Sequence, residues 1–197
     1  IGREVVFRRT VRHSEAVASQ ALSDFLTGLP NRRALDARLE EDVQRSSRYG
    51  HQFAVLMMDL DGFKSINDTY GHAIGDQILR QYAHFMAVQQ RASDFLARYG
   101  GDELIMILPE TNLEAALLVV NHIKERVAGF EVKLPDGSQR CLGVSGGIAI
   151  YPTHARTASD LLRAADEALY RAKRLARGTF VIADAGNNSN PLLDNHS

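Results

Sequence analysis

Apolar and polar positions along the chain separate short strands from amphipathic helices. Five apolar runs predict strands, at residues 52–60, 94–99, 103–108, 141–150 and 179–183. Apolar residues spaced three and four apart predict four helices, at about residues 31–49, 74–88, 113–127 and 158–175. Residues 61–68 are interpreted as a loop. A Pro-Asp-Gly turn at 135–137 joins a weak strand to the run that begins at Cys141.

The order of these elements is βαββαβ with additional pieces. This order favours one sheet that contains antiparallel strands and has helices packed on a face, an α+β arrangement. Before it, a heptad seam, Phe7, Val11, Ser14, Ala18, Ala21 and Phe25, predicts a helix over residues 1–24. That helix fits either a coiled coil leading from an upstream sensor domain or a lone helix packed on its own domain. We expect a domain at 25–183 and a disordered, Asn- and Ser-rich tail at 184–197.

Composition excludes several classes of protein. The 197 residues carry a net charge of -1, which argues against general nucleic-acid binding, and no apolar run is long enough to cross a bilayer. The single cysteine, Cys141, excludes an internal disulfide framework and a thiolate zinc cluster. It is predicted to be a small core residue within a strand. The sequence shows no secretory signal. It opens on Ile1 rather than Met and in helix-like sequence, so we expect the end of a longer cytoplasmic protein, without direct membrane contact in this piece.

Two acidic clusters carry the candidate chemistry. Asp59-Leu60-Asp61 ends an apolar strand, where alternation points both carboxylates to one side with the Leu60 carbonyl between them. Gly100-Gly101 precedes Asp102 and Glu103, and paired glycines suit a tight hairpin turn whose two central residues both have positive φ. A sheet that brought Asp59 and Asp102 together would offer Mg²⁺ its preferred oxygen ligands, as nucleotidyl transfer requires.

The order of further motifs extends the picture beyond these clusters. The motifs are Asp24-Phe25-Leu26-Thr27-Gly28-Leu29-Pro30-Asn31-Arg32-Arg33, Asp59-Leu60-Asp61-Gly62-Phe63-Lys64, Asn67-Asp68, Gly71-His72, Gly75-Asp76, Gly100-Gly101-Asp102-Glu103-Leu104 and Ala168-Leu169-Tyr170-Arg171-Ala172-Lys173. Together they resemble the GGDEF family, the diguanylate cyclases, over roughly residues 24–182. The resemblance implies the palm-like sheet of nucleotide cyclases and condensation of two GTP into cyclic di-GMP with release of two pyrophosphates. It also implies a homodimer in which each 3′-hydroxyl attacks the partner's α-phosphate.

The resemblance further implies a role for each matched residue. Asp59, the Leu60 carbonyl and Asp102 would hold two Mg²⁺ ions per half-site, with Mn²⁺ as an alternative, and Asp102 or Glu103 would assist deprotonation of the 3′-hydroxyl. The implied GTP-binding residues are Asn67 and Asp76 for guanine, Phe63, Lys64, Gly100, Gly101 and His72 beside the nucleotide, and Lys173 and Arg177 for the β and γ phosphates. Lys173 and Arg177 are expected to lie one helical turn apart on one face.

Arg91 and Asp94 match the family's RxxD site, where the product cyclic di-GMP would inhibit, and Arg45 is a candidate second arm. Three departures stand out. Leu104 replaces the usual Phe, Ala176-Arg177-Gly178 replaces Gly-Arg-Asn, and Gly146-Gly147 predicts a more flexible strand. A catalytically silent module that binds GTP or cyclic di-GMP, and a cyclase or polymerase that uses another base, remain alternatives.

Overall fold

The structure is a computed structural model that describes residues 22–185. Its helices are α1 (Arg32–Tyr49), α2 (Phe63–Tyr70), α3 (His72–Ala87), α4 (Leu113–Val127) and α5 (Ala158–Leu175). Its strands are β1 (Phe53–Leu60), β2 (Phe95–Gly100), β3 (Glu103–Leu108), β4 (Glu131–Lys133), β5 (Gln139–Cys141), β6 (Val144–Tyr151) and β7 (Phe180–Ile182). No helix in this part of the chain is long and apolar enough to span a membrane.

A five-stranded sheet has the order β2-β3-β1-β6-β7, and β4 and β5 form a separate ribbon. Strand β1 pairs antiparallel with both β3 and β6, whereas β6 pairs parallel with β7. The predicted α+β sheet is therefore confirmed, with β1 at its centre. Because β1 is central, residues at its carboxyl end have neighbours on both sides.

Helices cover both faces of the sheet, whereas the sequence predicted helices on one face. Alternate residues of β1 explain the difference, since the side chains of Leu56 and Met58 pack with α2, α3 and α4, and those of Val55 and Met57 pack with α1 and α5. All eight residues of β1 are buried. A strand that is apolar on both faces needs a helical layer on each of them.

Three local predictions are wrong. Residues 63–70 form helix α2 rather than a loop. The predicted strand 141–150 is interrupted at Leu142-Gly143, because Gly143 accepts a backbone hydrogen bond from Asp61 at 2.9 Å instead of continuing the pairing of β5. Cys141 is exposed at the end of β5 rather than buried in the core.

Residues 1–21 of the predicted N-terminal helix lie outside the described residues. Residues 22–24 are not helical, since Ser23 forms an isolated bridge with Pro30, and the ring of Phe25 is 97% exposed in the turn that follows. The predicted tail also lies outside the described residues except for Asp184 and Ala185. Asp184 accepts a hydrogen bond from Arg171 at 2.8 Å.

Gly146 and Gly147 are sites of close packing within the buried strand β6. A Cβ on Gly147 would lie 1.9 Å from the carbonyl oxygen of Ala165 in α5, and a Cβ on Gly146 would lie 2.2 Å from the ring of Phe180. The two glycines therefore allow α5 and β7 to approach the sheet. This contact places the carboxyl end of α5, with Lys173, beside the end of β1.

Candidate functional site

Acidic side chains gather where β1 ends and β3 begins. Asp59 of β1 lies directly opposite Glu103 of β3, and its carboxylate forms an ion pair with Lys173 of α5 at 2.7 Å. Burial raises the pKa of Asp59, Asp102 and Glu103, and the charge of Asp59 raises the pKa of the other two further. The charge of Lys173 offsets part of this repulsion, since it lowers the pKa of all three carboxyl groups.

The hairpin that carries Asp102 differs from the predicted turn. Gly100 still pairs with Glu103 after a bulge, so the central residues of the turn are Gly101 and Asp102, and of the two glycines only Gly101 has positive φ, at 53°. Arg98 supports the turn by donating from Nε and Nη2 to the Gly101 carbonyl at 3.0 and 2.8 Å. The same guanidinium donates to both carboxylate oxygens of Asp24 at 3.0 Å.

The acids fit a divalent cation only together with other oxygen donors. Among residues 22–185, no three His, Cys, Asp or Glu side chains are grouped so that they could hold a metal ion by themselves. Asp59 and Asp102 could instead be joined by the Leu60 carbonyl and by phosphate oxygens, which are hard ligands that Mg²⁺ prefers. The charge of Asp59 raises the pKa of Asp102, and a cation between the two carboxylates would relieve this repulsion.

A candidate anion-binding site lies beside the acids, at the amino end of α2. Gly62 is its N-cap with φ 83°, and no side chain caps the helix, so first-turn N–H groups are available to an anion. The ring of Phe63 is buried in the core, which leaves its backbone N–H at this end, and Lys64 is exposed. A Cβ on Gly62 would lie 3.7 Å from Nη1 of Arg177, so the guanidinium lies over this turn.

Arg177 reaches that position from outside the helix, contrary to the prediction. Helix α5 ends at Leu175, and Ala176 is extended, with φ -167° and ψ 150°. Lys173 and Arg177 are therefore not one turn apart on a helical face. The extended residue carries Arg177 away from Lys173 and towards the amino end of α2.

A buried amide marks a second subsite between α2 and α3. Oδ1 of Asn67 is buried and has no hydrogen-bond partner among the described residues. It lies against Gly75, where a Cβ would be only 1.8 Å away. His72 and Asp76 are exposed on the first turns of α3, with Gly75 immediately before Asp76. Since an unpaired buried acceptor is costly, Asn67 suits a ligand that brings a donor.

The RxxD motif forms a closed turn between α3 and β2. The Arg91 N–H donates to Oδ2 of Asp94 at 2.8 Å, and the Asp94 N–H donates back to the Arg91 carbonyl at 3.1 Å. The side chain of Arg91 is exposed. Arg45 lies on α1, where it donates to the buried carboxylate of Asp42 at 2.8 Å. Asp42 also binds Arg38, which donates to the Ser93 carbonyl of the RxxD turn at 3.5 Å.

Sequence reasoning missed three residues that shape the site. Arg98, two residues before the hairpin glycines, was given no role, Gly75 stood in a quoted motif without one, and the direction of the Asp61 side chain was assumed from strand alternation alone. The carboxylate of Asp61 accepts from Ser145 Oγ and from the Gly178 N–H instead. Only the glycine next to Asp76 could have signalled close packing in advance.

The sheet and its acidic end define a palm-like nucleotide cyclase fold, and comparison with known proteins gives the family. The family model "Diguanylate cyclase, GGDEF domain" matches residues 21–179, and the chain belongs to this family. Diguanylate cyclase TpbB of Pseudomonas aeruginosa is 42% identical over 172 residues, which are 86% of this chain and 39% of TpbB. Diguanylate cyclase DgcP of the same species is 38% identical, over 87% of this chain and 25% of DgcP.

Solved structures agree with this assignment. The GGDEF domain of P. aeruginosa PA1120 (TpbB or YfiN) has a TM-score of 0.77 and 41% identity, covering 82% of this chain and 94% of that one. The coiled coil and GGDEF domain of Caulobacter crescentus DgcB, in complex with c-di-GMP, has a TM-score of 0.85 and 29% identity, covering 92% and 96%. The family is one of nucleotidyltransferase-type cyclases, and this chain spans well under half of its curated relatives DgcP and TpbB.

Proposed function

We propose that this chain is the catalytic domain of a diguanylate cyclase, which condenses two GTP into cyclic di-GMP and two pyrophosphates. The observation that carries the proposal is the gathering of Asp59, Asp102 and Glu103 at one end of the sheet, beside Lys173 and the uncapped end of α2. Carboxylates for a cation and donors for a polyphosphate are what nucleotidyl transfer needs within one site.

The acids divide the chemistry between them. Asp59, the Leu60 carbonyl and Asp102 would hold Mg²⁺, which when bound neutralises the triphosphate and lowers the pKa of the attacking hydroxyl. Asp102 or Glu103 accepts the 3′-hydroxyl proton. Burial and the neighbouring Asp59 raise the pKa of both carboxylates when no cation is bound, and a bound cation would lower them.

The remaining residues bind and orient GTP. Asn67 and Asp76 accept from the N–H donors of guanine, which adenine lacks, and the buried, unpaired Oδ1 of Asn67 supports this assignment. The N–H groups at the start of α2, with Arg177 above them, bind the phosphates, and Lys173 shifts between Asp59 and the bound nucleotide. Lys64 and His72 flank the nucleotide, and Gly100 and Gly101 leave room for it against the hairpin.

Turnover would need two copies of the domain, because two GTP are condensed and each domain would hold one of them. Each domain would present one GTP, so that each 3′-hydroxyl attacks the α-phosphate held by the other copy. The heptad pattern of residues 1–24 is the part of the sequence that predicts such pairing. Holding two domains face to face raises their effective concentration.

Product would also bind away from the acids, at Arg91 and Asp94. The closed turn leaves the Arg91 side chain exposed, and arginine pairs with O6 and N7 of guanine. The structure of DgcB in complex with c-di-GMP is a precedent for product binding by a similar domain. Arg91→Ala should let product accumulate to a higher final level in a GTP reaction, and an unchanged final level would remove this site from the proposal.

The proposed activity is tested by product analysis. The 197-residue chain, alone and fused at Ile1 to a strong coiled coil, is incubated with GTP and Mg²⁺, and the nucleotides are separated by chromatography. Cyclic di-GMP from the parent but not from Asp102→Ala is the expected result. A folded, paired protein that binds GTP and forms no product would overturn the enzyme and favour a silent receptor. Replacement of GTP by ATP tests the choice of base.

A further inference from the structure

The two aspartates at the end of β1 have different partners, although they stand two residues apart. Asp59 forms an ion pair with Lys173 and lies opposite Glu103 of β3. The Asp61 carboxylate is directed away from them, to β6 and the segment after α5. Its two oxygens accept from Ser145 Oγ at 2.8 and 3.0 Å, and Oδ2 also accepts from the Gly178 N–H at 2.8 Å.

The surroundings of Asp61 hold its carboxylate tightly in this orientation. Ser145 is completely buried, and its Oγ also accepts from the Gly178 N–H at 3.1 Å, which closes a three-membered network. A Cβ on Gly143 would lie 2.9 Å from Oδ2 of Asp61, so the bare backbone makes room for the carboxylate. The Asp61 N–H donates to the Gly143 carbonyl at 2.9 Å. Both ends of Asp61 are therefore fixed to β6 and the residues just before it.

Gly178 is the residue after Arg177, in the turn between α5 and β7. This network therefore fixes the backbone position from which the Arg177 side chain extends. Helix α5 has ended at Leu175, and no helical hydrogen bond orders residues 177 and 178. Gly178 has φ 74°, which reverses the chain direction just before β7. With Gly178 held by Asp61, the guanidinium of Arg177 lies over Gly62 at the start of α2.

We propose that Asp61 is a positioning residue, which holds Gly178 and thereby places Arg177 against the β and γ phosphates of the nucleotide. The inference rests on the proposed function and deepens it. The donors to the Asp61 carboxylate are Ser145 of β6 and Gly178, and its role is to hold the segment that carries Arg177. An amide in its place removes the negative charge from both bonds and turns an NH₂ donor towards Ser145 or Gly178 where the carboxylate accepts, which weakens the hold on Gly178.

The test compares two ligands that differ in the phosphates that Arg177 would contact. Calorimetry in the presence of Mg²⁺ measures binding of 3′-deoxyGTP, which cannot be condensed, and of GMP. Asp61→Asn should weaken 3′-deoxyGTP roughly tenfold, as for a lost charge-assisted contact, and leave GMP within about twofold. Arg177→Ala should behave alike, and Asp61→Asn combined with Arg177→Ala should bind no more weakly than Arg177→Ala. Ser145→Ala should give a smaller loss in the same direction.

The matched control is Asp36→Asn, which makes the same charge change on the exposed face of α1. It should leave both ligands unaffected. Equal weakening of 3′-deoxyGTP and GMP by Asp61→Asn, or additive effects in the double variant, would overturn the positioning role. If Asp61→Asn does not fold, the same comparison is made with Ser145→Ala. A loss of affinity for 3′-deoxyGTP that exceeds the loss for GMP would support the positioning role, and equal losses would overturn it. A parent protein that binds neither ligand would overturn the proposed function itself, which separates the two failures.

Discussion

Replacing Gly75 by alanine should separate guanine recognition from folding, because the new Cβ would meet a side-chain end and not a backbone atom. The Cβ would lie 1.8 Å from Oδ1 and 2.9 Å from Cγ of Asn67, and 3.3 Å from the ring of Phe63. Asn67 must therefore rotate away. Gly75 lies in the first turns of α3, where alanine is favoured by about 1 kcal/mol, so the helix itself should not be weakened.

The size of the effect follows from the hydrogen bond that Asn67 would lose. Because Oδ1 of Asn67 is already buried, its hydrogen bond to guanine forms at little further desolvation cost. Loss of this hydrogen bond should therefore weaken the binding free energy by about 1–3 kcal/mol. This corresponds to roughly a 5- to 150-fold loss of affinity for 3′-deoxyGTP, whereas binding of 3′-deoxyATP should hardly change. Calorimetry measures the two affinities, and thermal denaturation monitors the fold.

Gly129→Ala is the matched control, because a Cβ there meets only the Arg126 carbonyl oxygen at 3.7 Å, an ordinary contact. It should leave both affinities and the fold unaltered. A folded Gly75→Ala protein that binds 3′-deoxyGTP within about twofold of the parent would refute the reasoning. In that case Asn67 does not read the base, however closely it packs.

Three further predictions concern stability. Gly147→Ala brings a Cβ against the α5 backbone and should lower the free energy of unfolding by about 3 kcal/mol or more in chemical denaturation; a loss under 1 kcal/mol would contradict the packing. Asp24→Asn weakens the contacts to Arg98 and Thr27 and should lower the free energy of unfolding by about 1–2 kcal/mol in the same assay. An unchanged free energy of unfolding would show that these contacts do not stabilise the fold. Burial lowers the pKa of His154 from 6.5, and its Nδ1 accepts from the Ile150 N–H, so its stabilisation is complete above pH 6.5 and is lost as pH falls below it. His154→Gln should flatten the fall in melting temperature between pH 7 and about 5, and an equally steep fall would exclude His154 as its cause.

The sequence was sufficient wherever a local pattern determines the structure. The apolar runs predicted strands β1 and β3, and the paired glycines predicted a hairpin before Glu103, although not which residues form its turn. Antiparallel pairing of β1 with β3 then brings Asp59 opposite Glu103. The motifs that resemble the GGDEF family led to the family that the comparisons show. The acidic end of the site could be predicted for the same reason, since it depends on where the strands end and on how they are paired.

Contacts between distant segments could not be predicted in this way. Helix α2 has only eight residues, of which Phe63 and Ile66 are buried, too few for a helical period to stand out from a loop. The position of Arg177 depends on an extended residue, Ala176, where helix propensity alone would continue α5. The role of Asp61 depends on Gly178, 117 residues away, and strand alternation gives no information on such a partner.

Simultaneous measurement of pyrophosphate and cyclic di-GMP in one GTP reaction tests the central claim most directly. We expect two pyrophosphates for each cyclic di-GMP formed by the coiled-coil fusion, and neither product from its Asp102→Ala variant. Pyrophosphate without cyclic di-GMP, or a linear or adenine-containing product instead, would contradict the claim that these acids join two molecules of GTP across a pair of domains.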